Sequence, residues 1–279
     1  MSAIREFKLR NTSWQESDSE GYVPFLYKYW FKGSKARQYL GFIKRPKIVM
    51  ESLSCPSNSK ILDVGCDWGY MVKLLESKGF DVYGIDINIS SLIFGRCCRE
   101  LTSDSQNNDS ASLICGTAIN LPFRDNSFSA IISLETIEHI HLDERKNFIS
   151  ELKRCVRREG QIILTTPNRY GISEIGKQIM SKFPILREKF GILGDIKNGI
   201  RLLGFTKKQT MINFPVSTQE LRKIANSLGL KLIKHSNKIF VTKLCPEGCL
   251  GFGVLVESLL EKLPLIRMFG ATSLYVFTK

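Results

Sequence analysis

The stretch that most constrains the fold is Ile61-Leu62-Asp63-Val64-Gly65-Cys66-Asp67-Trp68-Gly69. An apolar run ends in an acid, then a glycine, one small residue and a turn closed by a second glycine. Twenty-one positions after Gly65, a second apolar run over 82–85 ends in another acid, Asp86. Two strands tipped by acids in this way describe a nucleoside pocket at the carboxyl ends of parallel strands. They also argue against a dinucleotide. A pyrophosphate turn needs G-x-G-x-x-G free of anions, whereas Asp63 and Asp67 place carboxylates where phosphates would lie. A ribose-bearing ligand that carries an ammonium and a sulfonium suits these charges better.

The rest of the chain supplies the alternation such a pocket requires. Strands are expected over 60–64, 82–85, 112–115, 130–134, 161–165, 231–235 and 273–278. Helices are expected over about 69–78, stopped by Gly79, and over about 90–101, 143–156 and 218–228. Strands alternating with helices imply an α/β, Rossmann-like, seven-stranded and mostly parallel sheet with helices on both faces. Residues 1–54 read as an aromatic-rich arm followed by a helix to about Leu53, its Tyr27 and Tyr29 packing into the core or else touching a bound ligand. Residues 55–168 form the cofactor core. Residues 169–216, where Ile179, Phe183 and Phe190 interleave with Lys182, Arg187 and Lys189, read as a helical lid insertion over the site. Residues 217–279 complete the sheet, interrupted at about 245–270 by an amphipathic block.

Three segments resemble a known family. ILDVGCDWG at 61–69 is similar to the first motif of class I S-adenosylmethionine-dependent methyltransferases. GTAINLPFRDNSFSAIISLETIEHI at 116–140 and RREGQIILTTPNRY at 157–170 are similar to later motifs of the quinone-biosynthesis-like branch of that family, the methyltransferase type 11 and type 23-like group. Three motifs in register carry far more weight than one. The resemblance implies S-adenosylmethionine as cofactor, with Asp63, Gly65, Cys66, Asp67, Gly69, Asp86, Ile87, Thr117, Ala118, Ile119 and Leu134 around it. Asp63 would accept from the ammonium, Asp86 from the ribose hydroxyls, and Ile87 and Ile119 would flank the adenine. The chain departs from the pattern at three positions. Asp67 stands for the middle Gly, Thr117 for the Asp expected near the adenine amino group, and Ser129 for the Asp that opens the fourth strand.

Glu135-Thr136-Ile137-Glu138-His139 carries the sharper question. If this turn is helical, positions i, i+3 and i+4 converge on one face. Glu135, Glu138 and His139 could then hold Mg²⁺ or Mn²⁺, as the ExxEH spacing of metal-assisted O-methyltransferases suggests. Without metal, His139 serves as general base with Glu138 beside it; alternatively Glu138 caps a helix and His139 stacks beside the cofactor. Asn168, after Pro167 at the end of strand five, either orients substrate or the lid, or simply forms a turn.

Charge and composition bear on partners. The net charge is +13, and it is uneven. From Arg145 onward, 24 Lys and Arg face 9 Asp and Glu, a balance of +15, while the first 144 residues balance at −2. Such asymmetry suits an anionic partner. Eight cysteines at these spacings read as thiols rather than a disulfide or zinc framework. The absence of a signal-like segment and of an apolar run of spanning length points to a cytoplasmic protein, with peripheral association to an anionic membrane open. The expected function is methyl transfer to oxygen on a small, lipid-linked or anionic acceptor. The alternatives are an RNA 2′-O-methyltransferase, for which recognisable RNA-binding modules are lacking, and a non-catalytic cofactor-binding interaction protein.

Overall fold

A computed structural model describes residues 39–100, 113–171, 216–238 and 250–279. The arm before Tyr39, with Tyr27 and Tyr29, and most of the expected lid over 169–216 lie outside the described residues, as do Cys245 and Cys249.

A π-helical turn, Leu40–Lys44, leads into α1 (Arg45–Met50), which ends three residues before the expected Leu53. The alternation then runs β1 (Lys60–Val64), α2 (Tyr70–Glu76), β2 (Asp81–Asp86), α3 (Ile89–Glu100), β3 (Leu113–Cys115), β4 (Phe128–Leu134), α4 (Arg145–Cys155) and β5 (Val156–Pro167). It closes with α5 (Thr218–Ser227), β6 (Lys231–Lys238), α6 (Leu250–Leu260), α7 (Pro264–Arg267) and β7 (Thr272–Thr278). Gly79 sits at φ +85° behind α2, the left-handed stop expected of it. Ser217 caps α5 by accepting from the Glu220 N–H at 3.1 Å, a Ser-x-x-Glu start.

The seven strands form one sheet in the order β3-β2-β1-β4-β5-β7-β6, parallel except for β7, which runs antiparallel to both neighbours. Alternate residues of each strand feed opposite faces. Leu62, Val64, Ile131, Ile162, Leu164, Tyr275 and Phe277 pack on one side with Phe148, Leu152, Leu221 and Ala225 of α4 and α5. Ile61, Ala130, Ile132, Ile163, Leu274 and Val276 pack on the other with Val49, Val72, Leu75 and Leu92 of α1 to α3. A strand buried on both faces reads as a continuous apolar run, which is why β1 and β4 stand out in the sequence. The elements between them arrange loops at one edge.

Two strands exceed their expected lengths by three residues or more. The fifth starts at Val156 rather than Gln161, because residues 157–160 bulge out where Phe128 pairs with Val156 and Ala130 with Gln161. The sixth runs three residues past His235, its polar end zipped to β7 as far as Lys238↔Thr272. Backbone pairing decides both ends, and neither is written in side-chain pattern.

Candidate functional site

The strand order reverses between β1 and β4: the chain moves outward one way through β2 and β3, and the other way through β5. In open α/β sheets a crevice opens at that switch point, beyond the carboxyl ends of the strands. The loops after β1, β2 and β4 meet there.

The first loop is built around left-handed backbone. Gly65, Asp67 and Gly69 have φ of +77°, +50° and +78°. The N–H groups of Gly65 and Cys66 both donate to the Ile85 carbonyl, at 2.8 and 3.1 Å, tying the turn to β2. A Cβ on Gly65 would lie 2.2 Å from Thr136 Oγ1, so the loops after β1 and β4 touch only because position 65 has no side chain. Cys66 buries its thiol; a Cβ on Gly84 of β2 would reach its sulfur at 2.8 Å. Burial and the neighbouring carboxylates push that thiol far up, so it stays protonated. Trp68 is buried among Phe42, Tyr70 and Phe94, and the Tyr70 hydroxyl donates to the Phe42 carbonyl at 3.0 Å. The segment before α1 is thereby clamped to the turn.

Asp67 has a structural account. Its position requires positive φ, where Gly is free and Asp or Asn are the tolerated alternatives. Its N–H donates to Asp86 Oδ2 at 2.8 Å. Asp67→Gly is therefore expected to change stability by less than about 1 kcal/mol, whereas Asp67→Val costs about 2 kcal/mol, because a β-branched residue resists left-handed backbone. Denaturant titration of both variants checks this; equal losses would refute the backbone account.

Three carboxylates converge at the crevice. Asp63, at the end of β1, is buried, and its pKa is pushed up to about 8 by burial and then by Asp86 and Asp67. Asp86, at the end of β2, accepts from Asp67 through Oδ2 and from the Asn88 N–H through Oδ1, both at 2.8 Å. An acid kept protonated by burial, and further by two neighbouring carboxylates, marks a place where a cationic group would be welcome. Ile87 stands out from the end of β2 almost fully exposed. Across from it, Thr117 Oγ1 accepts from the Ile119 N–H at 3.4 Å, which shapes the turn after β3. Ala118 and Ile119 pack partly on the core, and Ser129 is buried within β4. The residues present would suit an adenosyl sulfonium by charge. Asp63 would hold its ammonium and Asp86 its ribose, while Gly65 and Gly69 leave room for backbone approach.

The loop after β4 differs from the helical expectation. Glu135 has φ +54° and its N–H bonds to the Thr165 carbonyl at 3.0 Å, so it belongs to the strand end. Only Ile137–His139 form a 3₁₀ turn. Glu135, Glu138 and His139 therefore do not share a helical face. Glu135 reaches Arg45 of α1 at 3.6 Å. Glu138 is buried and accepts from the Thr166 hydroxyl at 3.2 Å. Burial and Glu135 raise its pKa well above the carboxylate range, against the Thr166 and Arg45 contributions. His139 is exposed by surface area, yet partial desolvation lowers its pKa; Glu135 and Asp86 partly oppose this. Among the described residues no three His, Cys, Asp or Glu side chains are grouped to hold a metal, and Glu135, Glu138 and His139, the set expected for Mg²⁺ or Mn²⁺, form no such group. His141, the spare histidine, pairs with Asp143 at 3.3 Å.

Asn168 proves to be a brace rather than a free turn residue. Its Nδ2 donates to the Met268 and Gly270 carbonyls at 2.9 and 2.7 Å, and its N–H donates to the Ala271 carbonyl at 2.9 Å. Beyond it, Arg169, Arg222 and Lys223, with Ser217 and Gln219, line a cavity of about 510 Å³ with no acid among its described lining residues. Sequence reading missed this feature, because its cations come from the end of β5 and from α5, some fifty positions apart.

A doubly wound sheet of this order, with acid-tipped β1 and β2 at its switch point, defines an α/β enzyme that binds a nucleoside-type cofactor. Residues 62–164 match the family model described as a methyltransferase domain. A ubiquinone biosynthesis O-methyltransferase of Rickettsia typhi is 33% identical over 113 residues, 40% of this chain and 43% of that one. A demethylmenaquinone methyltransferase of Staphylococcus saprophyticus is 26% identical over 192 residues, 67% of this chain and 77% of that one. The fold is shared with a crystal structure of an S-adenosylmethionine-dependent methyltransferase of Methanosarcina mazei, at TM-score 0.56 and 19% identity over 83% of this chain and 96% of that one. Residues 62–164 thus carry a methyltransferase domain, and the chain is similar there to methyltransferases of quinone biosynthesis, of whose length it spans from under half to about three quarters. No helix among the described residues is long and apolar enough to cross a membrane.

Proposed function

We propose that this methyltransferase acts on an oxygen of a small acceptor that carries negative charge or a lipid tail. The observation that carries the anionic half is the cavity lined by Arg169, Arg222 and Lys223 at the carboxyl edge of β5. Three cations, with no acid among the described lining residues, favour phosphate or carboxylate on the incoming molecule. The cofactor supplies an activated methyl group when bound, so the protein's work is alignment and control of one proton. His139 is the group to take the proton of the acceptor hydroxyl. Its lowered pKa favours the neutral ring, the form able to accept a proton. Glu138, buried behind it, positions the turn through Thr166.

His139→Ala is expected to lower kcat by about 100-fold or more while leaving cofactor affinity unchanged. Glu138→Gln, isosteric with the protonated acid, is expected to retain the fold and most of the activity at neutral pH. A His139→Ala variant with full kcat would remove the general base. The same cavity could take an RNA phosphate; retention on single-stranded RNA with steep salt dependence, and none for a small anionic acceptor, would favour 2′-O-methylation instead.

The acid cluster sets a pH dependence. The folded-state pKa of Asp63, about 8, lies above that of an unfolded Asp near 4, so the native protein holds a proton that the unfolded chain has lost. Stability of the ligand-free protein therefore falls as pH rises from about 4 to about 8. A cationic cofactor needs the ionised form, so its affinity rises by up to about tenfold per pH unit below pH 8 and levels above it. Calorimetry near pH 7 in buffers of different ionisation enthalpy should register close to one proton released. A flat pH profile would show that Asp63 does not face the cofactor's charge.

A further inference from the structure

The longest exposed apolar stretch among the described residues is remote in sequence from every methyltransferase motif. All eight residues of Lys262-Leu263-Pro264-Leu265-Ile266-Arg267-Met268-Phe269 are exposed, with Leu265 at 76%, Met268 at 60% and Phe269 at 50%. The preceding helix, α6, adds Phe252, Leu255 and Leu259, exposed at i, i+3 and i+7 along one stripe. A continuous apolar surface of this kind marks an interaction site.

The charges decide what covers it. Residues 250–269 contain four charged side chains, Glu257, Glu261, Lys262 and Arg267. Both acids turn inward onto the buried Lys44, Glu257 being itself buried and Glu261 lying at 2.8 Å. The outward face keeps only Lys262 and Arg267, both exposed and set among apolar side chains. Apolar groups with a cationic rim and no outward acid complement an anionic lipid surface, into which the side chains insert while the cations meet headgroups. No described helix could span the bilayer, so the contact is interfacial.

Its place in the fold gives it a use. Asn168 binds the Met268 and Gly270 carbonyls, and Thr272 pairs with Pro167, so the exposed stretch emerges at the carboxyl edge of β5, the edge that holds the cofactor crevice. Lys44 ties the other end of the block to the helix whose Arg45 meets Glu135. We infer that residues 252–269 form a docking surface for an anionic membrane, set so that the site opens toward the bilayer. That the acceptor arrives from the lipid rests on the function proposed above; the docking itself does not.

Vesicle flotation of the full chain tests it, using phosphatidylcholine alone and phosphatidylcholine mixed with phosphatidylserine. The wild type floats with the anionic vesicles. The double variant Leu265→Asp/Phe269→Asp loses about 100-fold in affinity for these vesicles, since each of the two apolar groups withdrawn carries roughly tenfold. The double variant Lys262→Glu/Arg267→Glu loses binding to anionic vesicles selectively. Cofactor titration of each variant, expected to match the wild type, shows that the site is intact and keeps a failure of docking distinct from a failure of methyl transfer. A wild type that stays unbound with anionic vesicles overturns the inference. So does a Leu265→Asp/Phe269→Asp variant that floats as well as the wild type. If flotation is absent and those substitutions instead convert a dimer to a monomer in size-exclusion chromatography, the face belongs to a second copy of the chain.

Discussion

Asp86→Ala lowers affinity for S-adenosylmethionine by at least about 100-fold, roughly 3 kcal/mol. Two losses combine. The ribose would lose its carboxylate partner, and the backbone N–H groups of Asp67 and Asn88 would lose the acceptors they meet at 2.8 Å. Donors left without partners cost about 1–3 kcal/mol each when water cannot reach them, and the turn that carries Asp67 would shift in response. Asp86→Asn, with one acceptor oxygen in place of two, should fall between wild type and Ala. Isothermal titration gives both affinities directly. A loss below about fivefold for Asp86→Ala would mean that Asp86 only braces the loop.

Gly95→Ala destabilises the protein by about 3 kcal/mol and disturbs cofactor binding from a distance. A Cβ at position 95 would lie 2.0 Å from the Trp68 carbonyl oxygen. That neighbour is backbone, so nothing flexible can swing away. α3 would have to retreat from the turn after β1, loosening the cluster of Trp68 with Phe42, Tyr70 and Phe94. Chemical denaturation reports the stability change, and titration of the folded fraction reports the affinity. The same substitution at Gly79 or Gly251 meets nothing within 4 Å, although Gly79 at φ +85° keeps a backbone penalty of its own. Gly251→Ala is therefore the control that should leave stability nearly unchanged.

The strands that carry the site were legible because burial on both faces writes itself as unbroken apolar runs. Ile61 and Leu62 enter opposite cores, yet both must be apolar, so β1 announces itself. Its terminal acid and two glycines then fix a turn with few other uses. The loop after β4 is hard to read for the opposite reason. ETIEH has helical spacing, but Glu135 is bonded to Thr165 and starts no helix, so a one-dimensional period alone does not place it. The bulge at 157–160 and the long β6 are likewise properties of pairing with a neighbour.

From its order of residues alone this chain determines a parallel α/β sheet, the position of two acids at strand ends and the kind of cofactor those acids suit. Such features are local: a strand, its terminal acid and a left-handed turn each depend on neighbours a few positions away. Tertiary structure alone decides that Asp63 sits beside Asp86 and Asp67 with its proton retained, that Glu135 goes to Arg45, and that Lys44 gathers Glu257 and Glu261. Those pairings span as many as 217 positions. No sequence period reaches that far, because burial and charge act through space once the sheet has closed.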